Sequence, residues 1–171
     1  SRVRACTRRL AYLLAVEATR NLPTAPVEVE TPLEFTYGEV IRKPPVLLPV
    51  LRAGLGLLQP FVDLLPDSPV AFAGLRRDEA TGRAQWQYRS IPNVSGRTVI
   101  VLDPMLATGG TASEVLGYLR EGKAESLVLV VVIAAPEGIA RLRGFQELTL
   151  ITANVDRELD ENWFIRPGVG D

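Results

Sequence analysis

The chain has 171 residues, 47% of them hydrophobic and 23% charged, with a net charge of −1. That is enough for one domain with a sizeable core, and it excludes a disordered chain, a fibrous repeat and a protein with a global basic footprint for nucleic acid. With no histidine and one cysteine, Cys6, the chain has no His-based triad, His general base or internal disulfide; a metal would need oxygen ligands, which points to Mg²⁺ with a phosphate substrate.

In chain order, Ser1 to Arg4 is basic but leads into no signal-type apolar segment, and a start at serine suggests that position 1 is not the native initiator. Val3, Cys6, Leu10, Leu13, Leu14 and Ala18 recur at helical spacing until Pro23, which predicts a helix with Cys6 packed on its apolar stripe. The alternation around Val27 and Val29 predicts a short edge-type strand between Pro26 and Pro32. A strand follows at Val46 to Leu51, interrupted by Pro49, then a helix from Gly54 to Leu65 and a strand from Val70 to Leu75.

The polar stretch from Arg76 to Gly96, punctuated by glycine and proline, reads as a mobile β-arm or hairpin with Gln85 to Ser90 extended. Thr98 to Leu102 is a β-branched strand, followed by a loop and a helix from Thr111 to Arg120. Leu127 to Ile133 is a continuous apolar strand, Pro136 opens a short helix to about Leu142, and Leu148 to Thr152 is the last predicted strand. The longest apolar run, Leu127 to Ala135, is too short to span a bilayer, and a lone cysteine fits the reducing cytoplasm. Strand and helix alternate throughout, so the expected fold is α/β with a mainly parallel sheet flanked by helices, forming a single domain over residues 1–171. Ligands on such sheets bind at the carboxyl ends of the strands.

The chemistry concentrates in Asp103-Pro104-Met105-Leu106-Ala107-Thr108-Gly109-Gly110-Thr111, placed between the strand ending at Leu102 and the next helix. Small residues let the backbone wrap an anion, so that successive N–H groups and the helix N-terminus point at phosphate oxygens, and Thr108 and Thr111 add hydroxyls. The Gly-Lys-Ser/Thr of a P-loop is absent, and Asp103 can accept hydrogen bonds from ribose hydroxyls.

This string resembles the uracil phosphoribosyltransferase family, and the resemblance covers nearly the whole chain. It implies the phosphoribosyltransferase fold and a reaction in which uracil and phosphoribosyl pyrophosphate (PRPP) give UMP and pyrophosphate, as in pyrimidine salvage. Pro49-Val50-Leu51-Arg52-Ala53-Gly54 is similar to the family's pyrophosphate loop, with Arg52 as the catalytic and PRPP-binding fork donor beside Asp103. Arg77 matches a second PRPP-contacting arginine, while Arg76 reads as a solvated charge. Ala134 to Ile139 matches another family segment and reads as a structural turn and helix start. Ile165, Gly170 and Asp171 match positions that read the uracil edge, largely through main-chain groups, and Asp171 would also face PRPP or its Mg²⁺. Asp156 reads as structural.

The resemblance also implies Mg²⁺ carried mainly by PRPP, a homodimer or homotetramer, and in some members activation by GTP. Neither nucleic acid nor membrane is an expected partner. The sequence departs from the family pattern at Trp163-Phe164, where Gly-Tyr is common, at Arg166, where an aliphatic residue is usual, and at Ser90, where a lysine is usual and Arg89 could partly substitute. It stops at Asp171, where relatives continue through an Ala-Gly-Asp segment to an aromatic tail, so the family's C-terminal tail is absent. Trp86 and Tyr88 are candidates to cover the substrate or to pack against a partner subunit. These departures leave two other readings open: a binding or regulatory protein of the same fold that senses PRPP or nucleotide, and a transferase for a different base.

Overall fold

The computed structural model describes residues 2–77 and 84–169. Its elements are α1 (Arg2–Thr19), β1 (Thr24–Glu30), β2 (Phe35–Ile41), β3 (Val46–Leu51), α2 (Leu55–Leu64), β4 (Phe72–Arg77), β5 (Ala84–Ser90), β6 (Thr98–Leu102), β7 (Met105–Leu106), α3 (Gly110–Glu121), β8 (Ser126–Ala134), α4 (Pro136–Arg141), β9 (Leu148–Val155), β10 (Glu158–Leu159) and β11 (Ile165–Arg166). The main sheet runs β5-β4-β3-β6-β8-β9, and β7 continues the line of β6 along β8. Every pairing in it is parallel except that of β4 with β5. Among the described residues no helix is long and apolar enough to cross a membrane.

The central strands are continuous apolar runs because helices cover both faces, and the two-residue period of a strand sorts their side chains between two cores. Val46, Leu48, Val99, Val101, Leu127 and Leu129 pack with Val115, Leu116 and Leu119 of α3. Leu47, Ile100, Leu102, Val128 and Val130 pack on the other side with Leu57 and Phe61 of α2 and with Ala11, Leu14, Ala15 and Ala18 of α1. Pro49 leaves its mark on the hydrogen bonding. Leu47 donates toward the β4 side, to the carbonyl of Pro69, and two residues on the same direction recurs at Pro49, which has no N–H. The β3–β4 pairing is accordingly split into a bridge at Leu47 and Val70 and a ladder at Val50–Ala73 and Leu51–Gly74, whereas the β3–β6 ladder is unbroken.

Three expectations change. Cys6 is exposed rather than packed, and Leu13 is 69% exposed. α1 instead turns Ala11, Leu14, Ala15 and Ala18 inward, since alanines permit closer approach than a leucine stripe would. The strand around Val27 is half of a separate antiparallel hairpin with β2, which was not foreseen. β9 is not the last strand, because the short antiparallel pair β10–β11 follows it.

Within the expected arm, β5 is antiparallel to β4 with a register shift at Gly74 and Leu75; residues 78–83 lie outside the described residues. β5 is fastened to α3. The Trp86 indole donates to Glu114 at 3.2 Å and meets the Tyr118 ring edge-on at 5.5 Å, while Arg89 lies 4.5 Å above that ring. At the amino edge of the sheet, Lys43 donates to the carbonyl of Gly96 at 2.6 Å and Arg97 Nη2 to that of Pro44 at 2.8 Å. The Arg97 Nε is buried without a partner among the described residues.

Candidate active site

Parallel strands end together, so the turns after β3 and β6 meet at one edge of the sheet. Asp103 follows β6, and its N–H donates to the carbonyl of Val130 on β8. Its carboxyl accepts from the backbone N–H of Met105, but burial dominates and pushes the carboxyl up to about 7. Pro104 offers its carbonyl to the N–H groups of Val132 and Ile133, which pins the chain as it enters β7. The loop then turns through Gly109, whose φ of +73° suits glycine, and α3 begins at Gly110.

A cavity of about 220 Å³ is lined by Ala84, Asp103, residues 105–112 and Trp163. All but Pro104 of the predicted cradle residues line it. A helix start of this kind leaves backbone donors for an anion. The cradle is backed by α4: a Cβ on Gly138 would lie 2.3 Å from the carbonyl oxygen of Ala107 and 2.9 Å from Leu106 Cγ, and one on Gly109 would lie 2.9 Å from the carbonyl oxygen of Gly138. The two glycines permit this contact. The segment from Ala134 to Ile139 is therefore structural as expected, but the role of Gly138 was missed, because close approach of two backbones is a tertiary fact.

A second cavity, of about 410 Å³, adjoins the first and is lined by Met105, Ala107, Ile133 and residues 163–169, Ile165 among them. Met105, Ala107 and Trp163 belong to both cavities. The loop that lines the second cavity has its own scaffold. Asp156 is buried; its carboxylate accepts from the Asn154 side chain at 2.6 Å and from the N–H of Gly168 at 2.8 Å. Asp160 accepts from the N–H groups of Asn162 and Phe164 and from Arg166 Nε at 2.7 Å. The Phe164 N–H foremost, with Arg166 and Asn162, holds the Asp160 carboxyl below its ordinary value. Asp160 was not foreseen, although Asp-Glu-Asn before an aromatic pair is a turn signal. Arg166 is thereby held in an ion pair with Asp160.

Not every predicted residue joins these cavities. Arg52 is exposed in the turn after β3, beyond a cis Leu51–Arg52 peptide bond, at the same sheet edge as Asp103 but outside the lining of either cavity. Gly54 packs its backbone against the end of β6, 2.2 Å from the Leu102 carbonyl oxygen to a built Cβ, so the two turns are neighbours. Arg77 closes β4, and its side chain lies outside the described residues, as do Gly170 and Asp171. Arg89, expected as a partial substitute at Ser90, is stacked on Tyr118 and Trp86. Asp156→Ala is expected to lower the unfolding free energy by about 1–3 kcal/mol, since it removes the acceptor of the Asn154 side chain and of the part-buried Gly168 N–H; urea denaturation measures it.

An α/β sheet with an acid-ended strand, a glycine-rich loop and two adjoining cavities at its carboxyl edge is the arrangement of a phosphoribosyltransferase-type protein. The hypoxanthine-guanine phosphoribosyltransferase of Bacillus anthracis shares the fold, with a TM-score of 0.64 at 15% identity, over 92% of this chain and 80% of that one. A family model described as uracil phosphoribosyltransferase matches residues 1–171, and the chain belongs to that family. It is 44% identical to the uracil phosphoribosyltransferase of Kocuria rhizophila, over 95% of this chain and 79% of that protein. The AQ2163 protein of Aquifex aeolicus superposes with a TM-score of 0.92 at 34% identity, over 98% of this chain and 82% of that one.

Proposed function

We propose that this site transfers the phosphoribosyl group of PRPP to uracil, giving UMP and pyrophosphate. The observation that carries the reading is the pair of adjoining cavities, one lined by the cradle and one by residues 163–169, joined through Met105, Ala107 and Trp163. Family membership supports the substrates.

In this reading the loop from Leu106 to Thr111 anchors the 5′-phosphate and Asp103 accepts from the ribose hydroxyls. Arg52 and Arg77 take the diphosphate, and the base lies against Ile165, with Gly170 and Asp171 completing its main-chain contacts. The bond from ribose C1 to the diphosphate oxygen breaks with its electron pair on oxygen. Uracil N1 then bonds to C1, and its proton passes to the released pyrophosphate. The protein contributes position and charge stabilisation, which needs no histidine. Among the described residues no group of three or more acidic, cysteine or histidine side chains could hold an ion. On the family resemblance, Mg²⁺ would be held mainly by oxygens of PRPP, with Asp171 facing it, and would neutralise the diphosphate. A homodimer or homotetramer, and activation by GTP, rest on the resemblance alone.

The test is pyrophosphate release from PRPP and Mg²⁺ with uracil, cytosine, orotate and hypoxanthine in turn. Turnover with uracil alone is expected. PRPP binding without turnover of any base would favour a sensor, and turnover of another base would replace the substrate. In the same preparation, Arg52→Ala is expected to weaken PRPP binding at least about tenfold by calorimetry, and unchanged affinity would remove Arg52 from the site.

A further inference from the structure

Trp163 has a φ of +67°, a left-handed conformation that is unfavourable for a bulky side chain. The turn around it is over-determined. Its N–H donates to the carbonyl of Asp160 at 2.9 Å, the Asp160 N–H donates to the carbonyl of Phe164, and the Asp160 carboxylate accepts from both flanking N–H groups and from Arg166. Backbone strain fixed by so many bonds is a feature found at ligand sites. What this turn achieves is placement: Trp163 lines both cavities while 59% of the residue stays exposed. An exposed aromatic side chain carried on a hydrogen-bonded backbone turn at the junction of the two cavities is poised to stack on a nucleotide, since every base has a π-face.

We propose that Trp163 is a substrate-positioning and specificity residue, whose indole packs against the pyrimidine and ribose of the nucleoside monophosphate and ties occupancy of one cavity to the other. This rests on the transferase reading above. It assigns to the side chain at 163 a role that a glycine, the common residue at this point of the family pattern, could not fill.

The experiment uses UMP with the full chain, the Trp163→Phe and Trp163→Gly variants, and intrinsic fluorescence, with Trp86 retained as an internal reference on the arm. In the parent, UMP is expected to change the indole emission, and Trp163→Phe is expected to lose most of that change. Trp163→Gly relieves the backbone, so its melting temperature should equal or exceed the parent's. Its UMP affinity should nevertheless fall about tenfold by calorimetry, with ribose 5-phosphate affinity reduced by less. UMP affinity of the glycine variant within about twofold of the parent, or an emission change that persists in Trp163→Phe, overturns the proposal while leaving the transferase reading intact. A parent that does not bind UMP overturns both.

Discussion

Replacing Gly138 with alanine is expected to weaken PRPP binding at least about tenfold and to lower stability by roughly 2–4 kcal/mol, although Gly138 touches no substrate in the proposed reaction. The reason is geometric. A methyl group there would sit 2.3 Å from the carbonyl oxygen of Ala107 and 2.9 Å from Leu106 Cγ, far inside contact distance, and the nearer atom is backbone. Either α4 withdraws, uncovering the apolar residues that pack beneath it, or the cradle moves with Ala107. Displacements of about 1 Å at a positioned phosphate are enough to cost orders of magnitude in rate. Gly117→Ala is the control. It lies within α3, a Cβ there meets nothing within 4 Å, and the exchange should stabilise by about 0.5–1 kcal/mol. Calorimetric PRPP titration with urea denaturation of both variants separates the two outcomes; a Gly138→Ala protein with parental affinity and stability would refute the packing account.

Asp103→Asn is expected to move activity and stability in opposite directions. Its carboxyl titrates at about 7 in the fold, mainly through burial, against an ordinary value near 4. Between those values the folded state keeps a proton that the unfolded chain has lost. This group's contribution is therefore fully present below about pH 4, is lost as pH rises toward 7, and stays absent above it, a change on the order of 2–4 kcal/mol. Asparagine is neutral throughout and can still accept from the N–H of Met105. The variant should match the parent near pH 4, be the more stable at pH 8, and show a flatter profile between. Its turnover should nonetheless fall at least about tenfold, because a neutral amide is a weaker acceptor for ribose hydroxyls. Thermal melts across this range and steady-state kinetics at pH 8 decide it. Parental kinetics would remove the ribose-binding role, and an unchanged pH profile would remove the raised Asp103 carboxyl.

The readable parts of the sequence share one property: their structural cause is local. β3, β6 and β8 are apolar runs that mean burial on both faces, and their predicted and observed limits nearly coincide. The cradle from Asp103 to Thr111 was legible because small and hydroxylated residues between a strand and a helix leave few other uses for the backbone. α1 was legible as a helix but not in its rotation, since leucines outrank alanines in any reading by hydrophobicity, whereas packing favoured the alanines. β2 escaped because Phe35, Tyr37 and Val40 are exposed and carry no burial pattern. The Gly109–Gly138 contact joins parts of the chain that sequence order does not bring together, whereas the left-handed backbone at Trp163 is set locally by Asp160 and was missed because a bulky aromatic is not a residue expected there. Arg52 was linked to the cradle by resemblance; topology sets it at the same edge, without making it a wall of the cavity.

Division of labour between the two ends of the sheet has a practical side. Among the described residues buried Arg97 Nε has no acceptor, at the end of the sheet opposite the candidate site, so thermal robustness can be engineered there, by supplying an acceptor or removing the donor, at little risk to the proposed turnover. Selection for a hardier enzyme should collect its tolerated changes around Pro44 and Arg97, spare Gly96 with its φ of +60°, and leave the opposite rim untouched.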